Sequence, residues 1–319
     1  MFNMATEESL LFCVSDFSSQ VFTGLYRLRQ EGKLSDVTLT VGDSKLAAHR
    51  VVLAAASQYF DAMFSADMVE SKQKEIVLHG IEFSALVDLI NFCYTGRIEI
   101  NVDNVQSLLC TANLLQLAGV KQACAEFLHR VLHPNNCLGI RSFAETFSCS
   151  ELAEAADKYA MKTFGDVAKG EEFLSLPPED VVKLISREEL NVRSEEEVFE
   201  AVVQWVKNDI VERKDFLSEL LKHVRLPLIS PRYLCDIVSG EELIRSNLAC
   251  RDLVDEAKDF MLIPERRSKC QSVRTRPRRC SDAAGLIYAI GKNLNTWQKG
   301  NKASLFLLLC FTVWLFNFL

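Results

Sequence analysis

Eleven cysteines are scattered through this 319-residue chain, and no two of them stand as Cys-x-x-Cys. A zinc knuckle therefore has no framework here. The chain also lacks a Ser/His/Asp or Cys/His arrangement, or a glycine-rich phosphate loop, at a spacing that chemistry could use, so an enzyme is the least expected class. The formal net charge is -7, spread along the chain, which gives no case for nucleic acid as the main partner. The opening residues do not read as a secretory signal, and the cysteine count is odd. Both favour reduced thiols in an intracellular protein, expected in the cytoplasm with the nucleus as the alternative. No strict internal repeat is visible.

Apolar residues make up 49% of the chain, ample for a large core, and the length predicts about two domains. The stretch from Leu34 to Leu132 reads as one α/β unit. Val37, Leu39 and Val41 alternate with Thr38 and Thr40, the period of a half-buried strand. Gly42-Asp43 is a turn signal, with a return strand over Lys45 to Ala48. The pattern turns helical from Arg50, and Ser57 is placed to cap a helix carrying Tyr59, Phe60, Met63 and Phe64. Further strands are expected at Glu75 to Leu78 and Arg97 to Ile100. Helices are expected at Phe83 to Tyr94, capped by Gly96, and at Val102 to Leu117 and Val120 to Leu132, parted by Gly119. Upstream, Ser15 to Gln30 reads as a helix with Phe17, Val21, Phe22, Leu25 and Leu28 along one face. Asn136 to Leu262 is almost all helix; Ser194 with Glu197 forms a capping-box pattern, and Trp205 falls on the apolar face that follows.

Several of these stretches together resemble a known family. LSDVTLTVG, AHRVVLAAASQYFDAMF, INFCYTG and NVQSLLCTANLLQL are similar to a BTB (POZ) domain. NCLGIRSFAETFSCSELAEAADKYA and VRLPLISPRYL are similar to the BACK domain that follows it in kelch-like proteins. The resemblance runs over roughly residues 15 to 291. It implies an α+β BTB domain at 15–132, after a frayed 1–14, and an all-α BACK domain at 133–263. It also implies a dimeric adaptor that brings substrates to a cullin-3 ubiquitin ligase. In that family the first helix swaps across a two-fold interface, which puts Phe17, Phe22 and Leu25 in the dimer contact, with Asp36, His49 and Arg50 beside it. Asp36 and Arg50 read as a partly buried ion pair rather than an acid and base. Family members that bind cullin-3 carry an apolar-x-Glu motif, and Met68-Val69-Glu70 stands in its place. Phe64 and Tyr94 are the other candidates on that surface, with Leu138 and Phe143 as candidate groove lining.

The remaining features are weighed against plainer readings. Cys124, His129, His133 and Cys137 have loose spacing and a helix-ending Pro134 among them, so no metal and no cofactor is expected. Residues 264–283 form a basic linker, read as a solvated connector rather than an import signal. Gly285 to Gly291 resembles the first strand of a kelch repeat, but no complete blade follows, so the propeller is expected to be absent and the adaptor non-productive or inhibitory, acting on full-length kelch-like partners. Residues 292–319 are an atypical tail; Leu305 to Leu319 as a helix reaches about 22 Å, short of a roughly 30 Å hydrocarbon core, so membrane association is the lesser reading. The alternative to the ligase adaptor is a dimerising scaffold, cytoskeletal or tail-anchored, without cullin binding. A zinc-finger transcription regulator is disfavoured by the missing finger motif.

Overall fold

The computed structural model describes residues 12–65, 73–267 and 272–279. A small sheet in the order β2-β1-β3 is built from β1 (Val37–Val41), β2 (Ser44–Ala48) and β3 (Glu75–Val77). β1 and β2 are an antiparallel hairpin pairing Leu39 with Leu46, and Gly42 turns it at a φ of 57°. β3 runs parallel to β1, with Ile76 opposite Leu39. Around the sheet lie α1 (Phe17–Gln30), α2 (Arg50–Ala56), α3 (Gln58–Ser65), α4 (Phe83–Thr95), α5 (Val105–Leu114) and α6 (Ala118–Arg130). Leu39, Leu53, Phe60, Leu89 and Ile90 are fully buried between sheet and helices. The alternation read in β1 is the reason: its inward residues share one face of the pleat.

Local chemistry sets several boundaries. The Ser57 hydroxyl accepts from the Phe60 N–H at 3.2 Å and donates to the Leu115 carbonyl at 2.6 Å, so it both caps α3 and ties it to the end of α5. Gly96 takes a φ of 64° and its N–H closes α4 on the Phe92 carbonyl. The strand expected at Arg97 to Ile100 does not form. Its backbone is taken up by side chains instead: Thr95 Oγ1 accepts from the Arg97 N–H at 3.2 Å, and Asn104 Nδ2 donates to the Glu99 carbonyl at 3.0 Å. α5 and α6 part at Leu115 to Leu117, where Gln116 has a φ of 53°, and not at Gly119, which lies inside α6.

The second region is helical: α7 (Cys137–Thr146), α8 (Ser150–Lys162), α9 (Phe164–Val167), α10 (Glu171–Leu174), α11 (Pro178–Ile185), α12 (Glu195–Asn208), α13 (Ile210–Arg213), α14 (Leu217–Leu221), α15 (Pro231–Tyr233), α16 (Glu242–Arg245), α17 (Leu248–Leu262) and α18 (Pro264–Arg267). α7 and α8 serve both cores. Ile140, Ala144, Leu152 and Ala156 pack against the α/β unit, whereas Cys137, Leu138, Ala160 and Met161 join Phe164, Phe173, Val202 and Trp205. Trp205 is fully buried and donates its Nε1–H to the Leu176 carbonyl at 3.0 Å.

Two expectations fail here. The Ser194–Glu197 box is not made: the Glu197 carboxylate accepts from the Arg193 N–H at 3.3 Å, while Glu196 reaches the Ser230 N–H at 3.0 Å. Glu197 takes the N–H one residue upstream of the expected cap instead. The basic linker is not a solvated connector where the structure describes it. Residues 272–279 lie across the helices, with Arg274 on Glu256 and Arg278 on Glu195. The kelch-like strand at 285–291 and the tail at 305–319 lie outside the described residues.

Candidate partner-binding surface

α1 carries two apolar sides of different fate. Leu25 and Tyr26 lean on the domain's own core. Phe17, Val21 and Phe22 point away from it and are 62%, 44% and 43% exposed, with Val14 and Phe12 also exposed just upstream. A lone exposed leucine needs no explanation, but an aromatic row on one helix face does. Beside it a groove of about 710 Å³ opens between α1 and α4, edged by Phe22, Tyr26, Phe92 and Arg97.

Beneath the groove is a closed polar network. Arg29 is buried; its Nε donates to the Ala47 carbonyl at 3.0 Å and its Nη1 to Asn91 Oδ1 at 2.7 Å. Its guanidinium also lies 5.2 Å from the centre of the Tyr94 ring. The Tyr94 oxygen accepts from the His49 backbone N–H at 2.9 Å and sits 2.9 Å from His49 Nδ1. His49 Nε2 is 3.0 Å from the Lys33 carbonyl, which can only accept, so Nε2 carries a proton. Burial lowers the Arg29 pKa and raises that of Tyr94, and it pushes the Cys93 thiol up to about 11. The arrangement locks α1, β2, α2 and α4 together; it offers no free acid, base or nucleophile.

Tyr94, expected on the partner surface, is therefore corrected: it is 1% exposed, because its hydroxyl finds the His49 pair inside the fold. His49 is likewise buried, at 5%. Asp36 and Arg50 meet through backbone atoms: Asp36 Oδ1 accepts from the Arg50 N–H at 2.8 Å, and Arg50 Nε reaches the Asp36 carbonyl at 3.5 Å. The Arg50 guanidinium also donates to the Gln73 carbonyl and covers the Phe64 ring at 4.8 Å. Phe64 is half-buried, stacked on Phe60 at 5.7 Å and 13°. Leu138, a candidate lining residue, is 3% exposed and packs in the second core, while Phe143 is half-buried beside Phe147 at 4.8 Å. Met68 and Glu70 lie outside the described residues.

Sequence reasoning missed Arg29. The signal was available: Arg29 stands three and four residues after Tyr26 and Leu25, on the stripe that faces the core. A charge on an amphipathic helix is ordinarily a solvated one, and that general rule hides the signal.

Comparison with known proteins identifies the two regions. A BTB/POZ domain model matches residues 25–132 and a model described as BACK, BTB And C-terminal Kelch, matches residues 137–239. The chain belongs to the BTB–BACK proteins, with an α/β BTB domain followed by a helical BACK region. It is also similar to a solved structure described as the BTB domain of zebrafish PATZ1, at 31% identity over 38% of this chain and 99% of that one, with a TM-score of 0.35. BTB domains mediate self-association and partner binding, and BTB and BACK domains are typically non-catalytic adaptor domains. No helix among the described residues is long and apolar enough to cross a membrane.

Proposed function

We propose that this chain is a homodimeric, non-catalytic adaptor that docks cullin-3 in a ubiquitin ligase. The observation that carries the dimer is the apolar outer face of α1: Phe17, Val21 and Phe22 stand in water in the single chain, beside a groove. A second copy would cover them through the same surface, as two-fold pairing requires. For cullin-3 the support is the apolar-x-Glu tripeptide Met68-Val69-Glu70, following directly on α3 and its half-buried Phe64. Phe143 in α7 and Phe147 just past its end, both half-buried, would extend the surface. A reducing, cytoplasmic setting suits the thiols, since Cys93, Cys124, Cys137 and Cys250 are buried as small apolar groups.

Calorimetry of the full chain against the cullin-3 N-terminal domain tests this reading. Binding that is lost in Met68→Asp with Glu70→Arg, while sedimentation still reports a folded dimer, is the expected result. No binding by the unaltered chain would leave a dimerising scaffold.

A further inference from the structure

Arg278 sits in a slot made for a guanidinium. Its Nε donates to Glu195 Oε1 at 2.6 Å; Nη1 donates to the carbonyls of Ile185 and Arg187 at 2.6 and 2.8 Å; Nη2 donates to Glu195 Oε2 and the His223 carbonyl at 3.0 and 3.3 Å. All five guanidinium N–H groups thus have an acceptor. The two side chains of the pair are 2% and 6% exposed. The acceptors come from the end of α11, the start of α12 and the turn after α14, so the tertiary fold alone assembles them. A lysine could satisfy this slot only in part, because its three donors radiate from one point and cannot span a carboxylate edge and three carbonyls in a plane.

The strap that brings Arg278 there is otherwise held like a peptide ligand. Arg274 grips both oxygens of Glu256 on α17 at 2.5 and 2.6 Å, and Arg225 donates to the Arg276 carbonyl. The Arg279 N–H donates to the Glu188 carbonyl at 2.8 Å. No strap residue belongs to the apolar core, and Val273 is 59% exposed. Lifting residues 272–279 would therefore vacate a polar site without opening the hydrophobic interior.

We propose that this slot is an arginine-reading peptide site that the chain fills with its own residues 272–279. A separate extended peptide of the same chemistry, with arginines matching Arg274 and Arg278, enters when the strap is out. The inference is independent of cullin binding.

The test uses the full chain, its Arg278→Ala variant, and a labelled synthetic peptide of residues 272–279 followed by fluorescence anisotropy. The peptide is expected to bind the variant at least tenfold more tightly than the unaltered chain, whose slot is occupied. An Arg278→Lys version of the peptide is expected to lose at least tenfold of that binding. Equal binding to both chains, or equal binding of both peptides, overturns the proposal as mere attraction of a basic peptide to an acidic protein. Should Arg278→Ala lose its helical signal, hydrogen exchange on the Arg278→Lys chain decides: exchange at least tenfold faster at Thr275, Arg276 and Arg279 supports an arginine-specific slot, and unchanged exchange overturns it.

Discussion

The outer face of α1 and the strap at 272–279 invert the usual sorting of residues. Phe17 and Phe22 stand in water, while Arg278 and Glu195 have almost none around them. The difference lies in what each group needs. A phenyl ring needs only apolar area, and α1 has spent its inward face on Leu25 and Tyr26, so the outer face waits for another surface. A guanidinium needs five acceptors in one plane, and the helical region supplies them at one place. Apolar groups can be satisfied by any matching patch, including one on a second copy. Buried charge is satisfied only by a constellation.

The sharpest break of this comparison is Arg278→Ala, which takes the guanidinium from the buried Glu195 carboxylate and leaves it the Arg225 N–H at 3.2 Å. Loss of about 3–5 kcal/mol is expected in chemical denaturation, the range for a buried pair broken on one side. A loss under about 1 kcal/mol would mean the slot is wet. Tyr94→Phe makes the same point in the BTB domain. It removes the hydroxyl that serves both the His49 N–H and Nδ1, at about 1–3 kcal/mol, read from the urea midpoint. Glu172→Ala probes a third polar fastening. Glu172 Oε2 accepts from the N–H groups of Leu138 and Gly139 at the start of α7, at 3.1 and 3.2 Å. Losing that cap is expected to cost about 1–2 kcal/mol in the same assay.

A pH series asks the question of the buried thiols. Burial pushes Cys93, Cys124, Cys137 and Cys250 up to about 11 from 9.0. A folded-state pKa above the unfolded one means the unfolded chain gives up its protons first. That stabilisation is complete below about pH 9 and is lost as pH rises toward 11. The urea midpoint at pH 10.5 should fall below that at pH 8, and a flat profile would mean water reaches the thiols. The smallest effect on the fold is expected from Phe17→Asp with Phe22→Asp. On the dimer reading it halves the sedimenting mass, yet leaves the stability of the dilute monomer within about 0.5 kcal/mol. A larger loss would show that these rings belong to their own domain's core.

Much of the architecture was legible. The Ser57 cap, the Gly96 end of α4 and the burial of Trp205 each follow from a few neighbouring residues, and each holds in the structure. The alternation in β1 holds at Val37 and Leu39 but breaks at Thr40, which is buried with its hydroxyl donating to Glu75 at 2.9 Å, while Val41 is only half-buried. The misreadings share one cause. Arg97 to Ile100 looked like a strand, the Ser194 box looked closed, and Tyr94 looked half-wet; in each case a distant partner or a nearby side chain offered the polar groups something better. Asp36 and Arg50 do not pair charge on charge: Asp36 accepts the N–H at the start of α2.

By itself the sequence determined the order of the elements, the apolar stripes and the kinship with BTB–BACK proteins, because periodicity and caps act over a few residues. Only the tertiary structure decided which charges go inside. Arg29 lies 18 and 62 residues from the partners it binds, and Arg278 lies 83 from Glu195. A hydrogen bond depends on position in space to within a few tenths of an ångström, and no local pattern carries that information across such a span.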